Sequence, residues 1–125
     1  MHRWILDNYA DPEISVARLA KQFHASVRHV HKVFASAGHG MSFLDTVRHV
    51  RLETAARMLR APATAPMLVA QIAYRCGFAD AAYFGLVFRK RYGCTPRAYA
   101  DTHALPQVDA APVNSANYAT SVTLH

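Results

Sequence analysis

A chain of 125 residues is long enough for one compact domain, or two very small ones sharing an interface, and too short for a barrel or a two-domain nucleotide enzyme. Its 52% hydrophobic and 18% charged residues are globular rather than disordered, and five glycines among many Ala, Leu, Val and Arg favour an all-α fold. The formal charge of +6 points to a polyanionic partner, nucleic acid or acidic lipid, with every Lys and Arg placed before residue 101.

Seven helices are predicted. The first spans 3–9, the second 16–23 after Ser15, and the third 27–37 after Ser26. A long fourth helix covers 43–60 after Ser42, followed by 67–76, by 81–92 after Asp80, and by 96–100 after Thr95. Ser and Asp cap orphan N–H groups, Thr-Pro starts a helix, and Gly38, Gly77 and Gly93 stand where helices should stop. From Asp101 onward, Pro106, Pro112, Asn114, Ser115, Asn117 and Ser121 replace any helical period, so residues 101–125 are expected to form a disordered tail. Within the body, 1–100, a first unit of about 1–41 and a second of about 66–100 flank a linker helix of about 42–60.

The two units repeat each other. Leu19-Ala20 and Ile72-Ala73 each lead, four positions on, to a tight turn at His24 or Gly77, then to a capping Ser26 or Asp80. From the cap, apolar residues fall at matching offsets of four (Val30, Phe84), seven (Val33, Val87) and eight (Phe34, Phe88). The second turn is one residue longer. Ala20 and Ala73 suit a steep helix crossing, where a larger side chain would hold the helices apart. Such a hairpin also occurs in ordinary bundles, but two in register in a basic chain predict a pair of helix-turn-helix units.

If offsets four, seven and eight face the core, offsets two, five, six and nine face outward. In the first unit these are Arg28, His31, Lys32 and Ala35. Arg and Lys donate to guanine O6 and N7, and His donates or accepts at a base edge, so Arg28, His31 and Lys32 are the expected base readers. A solvated basic surface is the alternative. The second unit offers Ala82, Gly85, Leu86 and Arg89, with Ala81 beside them. Ala81 and Ala82 can touch a thymine methyl but lack hydrogen-bonding capacity, so this unit should anchor more than it reads. Arg89, Lys90 and Arg91, and the helix starts after Ser42 and Thr95, are expected phosphate contacts.

Other chemistry finds little support. Cys76 and Cys94 read as structural thiols in a reducing compartment. His24, His29, His39 and His49 form no i, i+4 metal pair backed by a carboxylate, and no Ser, Cys or carboxylate has a placed base partner, so no catalytic constellation, metal or cofactor is expected. Asp7, Asn8 and Asp11 interrupt any secretory segment, and the longest uncharged stretch of the body, 61–74, contains two prolines. The expectation is a cytoplasmic protein without a membrane partner or a small-molecule effector site. The aromatics Trp4, Phe23, Phe43, Tyr74, Phe78, Tyr92 and Tyr99 are assigned to packing.

The run Ile72-Ala73-Tyr74-Arg75-Cys76-Gly77-Phe78, then Tyr83-Phe84, Val87 to Gly93, Thr95-Pro96 and Tyr99, resembles the AraC/XylS family of bacterial transcription regulators. The resemblance extends upstream through Leu19-Ala20, Ser26, Phe34, Gly40-Met41-Ser42-Phe43, Val47-Arg48, Arg51-Leu52, Ala55-Ala56 and Met58-Leu59, covering about residues 4–100. It implies two helix-turn-helix units bridged by a long helix, each recognition helix offered to successive major-groove segments of double-stranded DNA, and activation through contact with RNA polymerase. The connection from Leu59 to Ile72 departs from the family pattern in its length, in Pro62 and Pro66, and in lacking a Ser or Thr cap before Val69. Ala82, Gly85 and Leu86 also stand where family members often have polar or basic side chains. The alternative function is a helical protein-interaction module whose DNA-reading face is weakened.

Overall fold

The computed structural model describes residues 1–36, 40–61 and 68–103. They form α1 His2–Asn8, α2 Val16–Gln22, α3 Val27–Ala35, α4 Phe43–Arg60, α5 Val69–Arg75, α6 Ala81–Tyr92 and α7 Pro96–His103, with no strand among the described residues. α4 and α6 have the expected bounds, and the other helices differ by one to three residues at an end.

Side-chain caps account for the starts of α2, α3, α4, α6 and α7. Oγ of Ser15, Ser26 and Ser42 accepts from the backbone N–H of Arg18, His29 and Asp45, and Thr95 Oγ1 accepts from Ala98 N–H. Asp80 Oδ1 accepts from both Ala82 and Tyr83. α5, which lacks a Ser or Thr cap, is fastened differently: Gln71 Oε1 turns back to accept from Leu68 N–H at 3.0 Å. That is the glutamine half of a capping box, and it suffices to define the start two residues later than expected. Gly38, Pro62, Pro66 and Met67 lie outside the described residues.

α4 belongs to two cores. Phe43, Val47 and Val50 join Ile5, Leu19, Ala20, Val30 and Phe34 from α1, α2 and α3. Leu52, Ala55, Ala56 and Leu59 join Ile72, Ala73, Cys76, Phe78, Phe84, Phe88 and Tyr99 from the second half. At 100° per residue these two α4 stripes point about 160° apart, so the helix is sandwiched between the units rather than laid along one of them. The second core is aromatic: Phe84 and Phe88 have ring centroids 5.6 Å apart, Tyr99 meets Phe88 edge-on at 5.3 Å, and the Tyr99 hydroxyl accepts from Arg60 at 2.7 Å.

The expected boundary at residue 100 needs correction. α7 continues through Asp101, Thr102 and His103. Thr102 Oγ1 donates to the Ala98 carbonyl at 2.9 Å, and the His103 ring stacks on Tyr99 at 4.3 Å. The last turn is held by side-chain hydrogen bonding and stacking, which no apolar period reveals. The rest of the expected tail, 104–125, lies outside the described residues.

Candidate nucleic-acid interface

The two turns are built by one device. In the first unit, Ala25 N–H donates to Ala20 C=O at 2.8 Å and His24 N–H to Lys21 C=O at 3.2 Å. In the second, Phe78 N–H donates to Ala73 C=O at 3.0 Å and Gly77 N–H to Tyr74 C=O at 3.1 Å. This pair of bonds is a Schellman ending, which requires a left-handed residue after the helix. His24 and Gly77 occupy that position, with φ of 53° and 96°. Each turn thus ends its helix at a set angle and swings the next across it, with Ala20 and Ala73 buried between them. The extra residue of the second unit falls after the Schellman bonds and before Asp80, leaving the turn itself unchanged.

The faces follow from this crossing. Val30 and Phe34 are buried and Val33 is half-buried, while Arg28, His31, Lys32 and Ala35 are exposed. In α6, Phe84 and Phe88 are fully buried and Ala82, Leu86, Arg89, Lys90 and Arg91 are exposed; Ala81 and Gly85 are partly covered. Leu86 is 68% exposed. Among the described residues, Arg28, Lys32, Arg89, Lys90 and Arg91 have no carboxylate partner, whereas Arg3, Arg18 and Arg48 are each paired with Asp7, Asp11 and Asp45. Five cations without a carboxylate partner thus lie on or beside the two outward helix faces, and Lys21, Arg51, Arg57, Arg60, Arg75 and Arg97 lack one elsewhere among the described residues. Ser42 and Thr95 are exposed, and their hydroxyl oxygens accept in capping, which leaves each O–H, with nearby backbone N–H groups, to donate to a phosphate. Asp45 in the first turn of α4 opposes an anion at Ser42. Thr95 has no such neighbour in the first turn of α7.

One residue that sequence reasoning left without a role holds the units together. Arg51, on α4, donates from Nε to the Tyr9 carbonyl at 2.8 Å and from Nη2 to the Asp11 carbonyl at 3.0 Å, while its guanidinium lies 5.7 Å from the Phe78 ring centre. It thereby ties the α1–α2 loop of the first unit to the turn of the second. Burial lowers its pKa, opposed by the Asp11 charge, yet a guanidinium stays protonated. Asp11 is itself held below the usual carboxylate range, chiefly by the Arg18 hydrogen bond at 2.7 Å. Gly77 completes the joint, since a Cβ there would run into the Tyr9 carbonyl and Arg51 Nε. The sequence signal for Arg51 was a cation between two apolar stripes; its carbonyl partners, 42 and 40 residues away, leave no trace in the pattern.

A helix-turn-helix domain family matches residues 19–102, from within α2 into the last turn of α7. The chain belongs to the AraC/XylS family. Among curated relatives it is 37% identical over 97 residues to the uncharacterized HTH-type transcriptional regulator YpdC of Escherichia coli K12, and 33% identical over 94 residues to the HTH-type transcriptional activator RhaS of Escherichia coli SE11. These matches cover 78% and 75% of this chain but 32% of each relative, so the chain spans about a third of their length. Among solved structures it is similar to the DNA-binding domain of AdpA, a global transcriptional factor, in complex with a target DNA. The TM-score is 0.70 at 28% identity, covering 79% of this chain and 85% of that one.

In this AraC/XylS domain the outer face of α6 exposes Ala82, Tyr83 and Leu86. Phe23 and Tyr74 depart from the packing role expected of them, being 43% and 55% exposed. Cys76 is fully buried 3.6 Å from Met58 Sδ, and burial pushes its thiol up to about 11, which leaves it protonated at neutral pH. A cleft of about 450 Å³ lies among α1, α3 and α4, lined by Leu6, Phe34, Met41, His49, Glu53 and Arg57 among others; His49 and Glu53 within it pair with each other at 3.2 Å. No described helix is long and apolar enough to cross a membrane.

Proposed function

We propose that the chain is a sequence-specific double-stranded DNA-binding regulator of transcription, acting as an activator at bacterial promoters. The observation that carries this reading is the duplicated turn: two Schellman-ended hairpins, each presenting the same face of its second helix outward, with unpaired cations on or beside both faces. Residues 1–103 form the DNA-binding body. Arg28 and Lys32 read guanine edges, His31 contributes at a neighbouring base, Ala81 and Ala82 meet bases without hydrogen bonding, and Arg89, Lys90, Arg91 and the amides after Thr95 hold phosphates, with the amides after Ser42 a weaker phosphate contact because of Asp45. Because the two helices differ in chemistry, the site is asymmetric and one copy of the chain spans it. Contact with RNA polymerase in the bacterial cytoplasm is the route to activation.

Selection of bound duplexes from a random-sequence pool tests this directly. The expected product is one non-palindromic motif with two informative segments about one helical turn apart. A palindromic motif would show two copies binding as a symmetric dimer, and recovery of unrelated sequences would remove sequence-specific recognition from the account.

A further inference from the structure

We infer that the second recognition helix reads DNA through thymine methyl groups, with Leu86 as the specificity-determining residue; this deepens the DNA-binding reading above and rests on it. Leu86 stands six residues after Asp80, as Lys32 stands six after Ser26, so the shared crossing geometry places both at the same point of their outward faces. It is 68% exposed, and Tyr83, three residues earlier and therefore adjacent on the helix surface, is 43% exposed. Ala82 is exposed as well, and no atom lies within 4 Å of where a Gly85 Cβ would stand, so the helix backbone is open to close approach there. Together these residues form an apolar strip with no hydrogen-bonding group except the Tyr83 hydroxyl.

Charge complementarity selects the occupant. The strip shares its helix with Arg89, Lys90 and Arg91, which have no carboxylate partner among the described residues, so whatever meets it brings negative charge beside an apolar knob. The major groove of a duplex supplies both. Phosphates line its edges, and the thymine C5-methyl is the apolar group on a base edge there. A leucine in this position gains by covering methyls and loses against cytosine, whose N4 amino donor it cannot satisfy. The two units then read by different chemistry, α3 by donation to guanine and α6 by apolar contact with thymine.

The test replaces thymine by deoxyuridine, one position at a time, in a duplex selected by the full chain. This removes the methyl and leaves every hydrogen-bonding group in place. Affinity should fall about fourfold at one or two positions, the equivalent of one buried methyl each. Leu86→Ala, with melting temperature unchanged, should abolish that loss while keeping the response to changes at guanines under α3. Three results would overturn the inference: no deoxyuridine effect at any position, an equal effect in wild type and Leu86→Ala, or a Leu86→Ala protein that binds as wild type but loses activation in a purified transcription reaction. The last would assign Leu86 to a protein contact. A chain that selects no sequence at all would remove the DNA-binding reading, and the inference with it, and is told apart from the other outcomes at the selection step.

Discussion

Arg28 and Lys32 are exposed while Val30 and Phe34 are buried in the core, so changing the first pair should alter binding without altering the fold. Arg28→Ala or Lys32→Ala is expected to cost about 1–3 kcal/mol at a selected duplex and much less on random sequence, measured by titration on both. Equal losses would mean a phosphate contact. The two left-handed turn residues make an opposing pair. Gly77 is required, because a Cβ there meets both a left-handed penalty and the Tyr9–Arg51 contact; Gly77→Ala should lower stability by about 2–4 kcal/mol. His24 adopts the same conformation at a cost, so His24→Gly should be neutral or stabilising by up to about 1 kcal/mol. Thermal melting of the two variants checks both signs. Arg51 bridges two carbonyls of one unit and an aromatic ring of the other. Arg51→Ala should lose about 2–3 kcal/mol of stability. It should also broaden the spacing tolerated between the two halves of a selected site.

The helices were more legible than the joints. α4 and α6 could be bounded from caps and periodicity because Ser42, Asp80 and Gly93 each mark a local event, and Gly93 takes the left-handed conformation a helix stop requires. The offsets from Ser26 and Asp80 placed the outward residues, because a helix face follows from spacing alone. The end of α7 could not be read, since Thr102 and His103 act through hydrogen bonds and stacking with residues of their own helix. Truncation after His103 should therefore leave melting temperature and DNA affinity near those of the full chain, whereas truncation after Ala100 should lose about 1 kcal/mol through the missing turn. At α6, Leu86→Arg should keep the fold, because the position is open, and raise affinity for random DNA, steepening the salt dependence by about one charge. A large fall in melting temperature would put Leu86 in the core.

Across the whole molecule, two small cores share one helix. A linker that merely connected the units would let them turn independently. α4 instead gives opposite faces to the two cores, and Arg51 pins its middle to the loop of one unit and the turn of the other. The spacing of α3 and α6 is thus set by the fold, so a duplex that meets both would not have to order them on binding. None of this joint was visible as a motif, although both stripes of α4 can be found afterwards in its sequence. In the proposed complex the two preset helices bind one duplex, one by hydrogen bonding and one by apolar contact, each supported by phosphate-binding cations. The salt dependence of affinity for a selected duplex, measured beside a scrambled duplex of equal length, tests it most directly. The expected result is a linear fall of log affinity with log salt for both duplexes, with slopes of several charges, and affinity at least about 10³-fold tighter for the selected one at physiological salt. Equal affinity for the two duplexes, or a slope near zero, would contradict it.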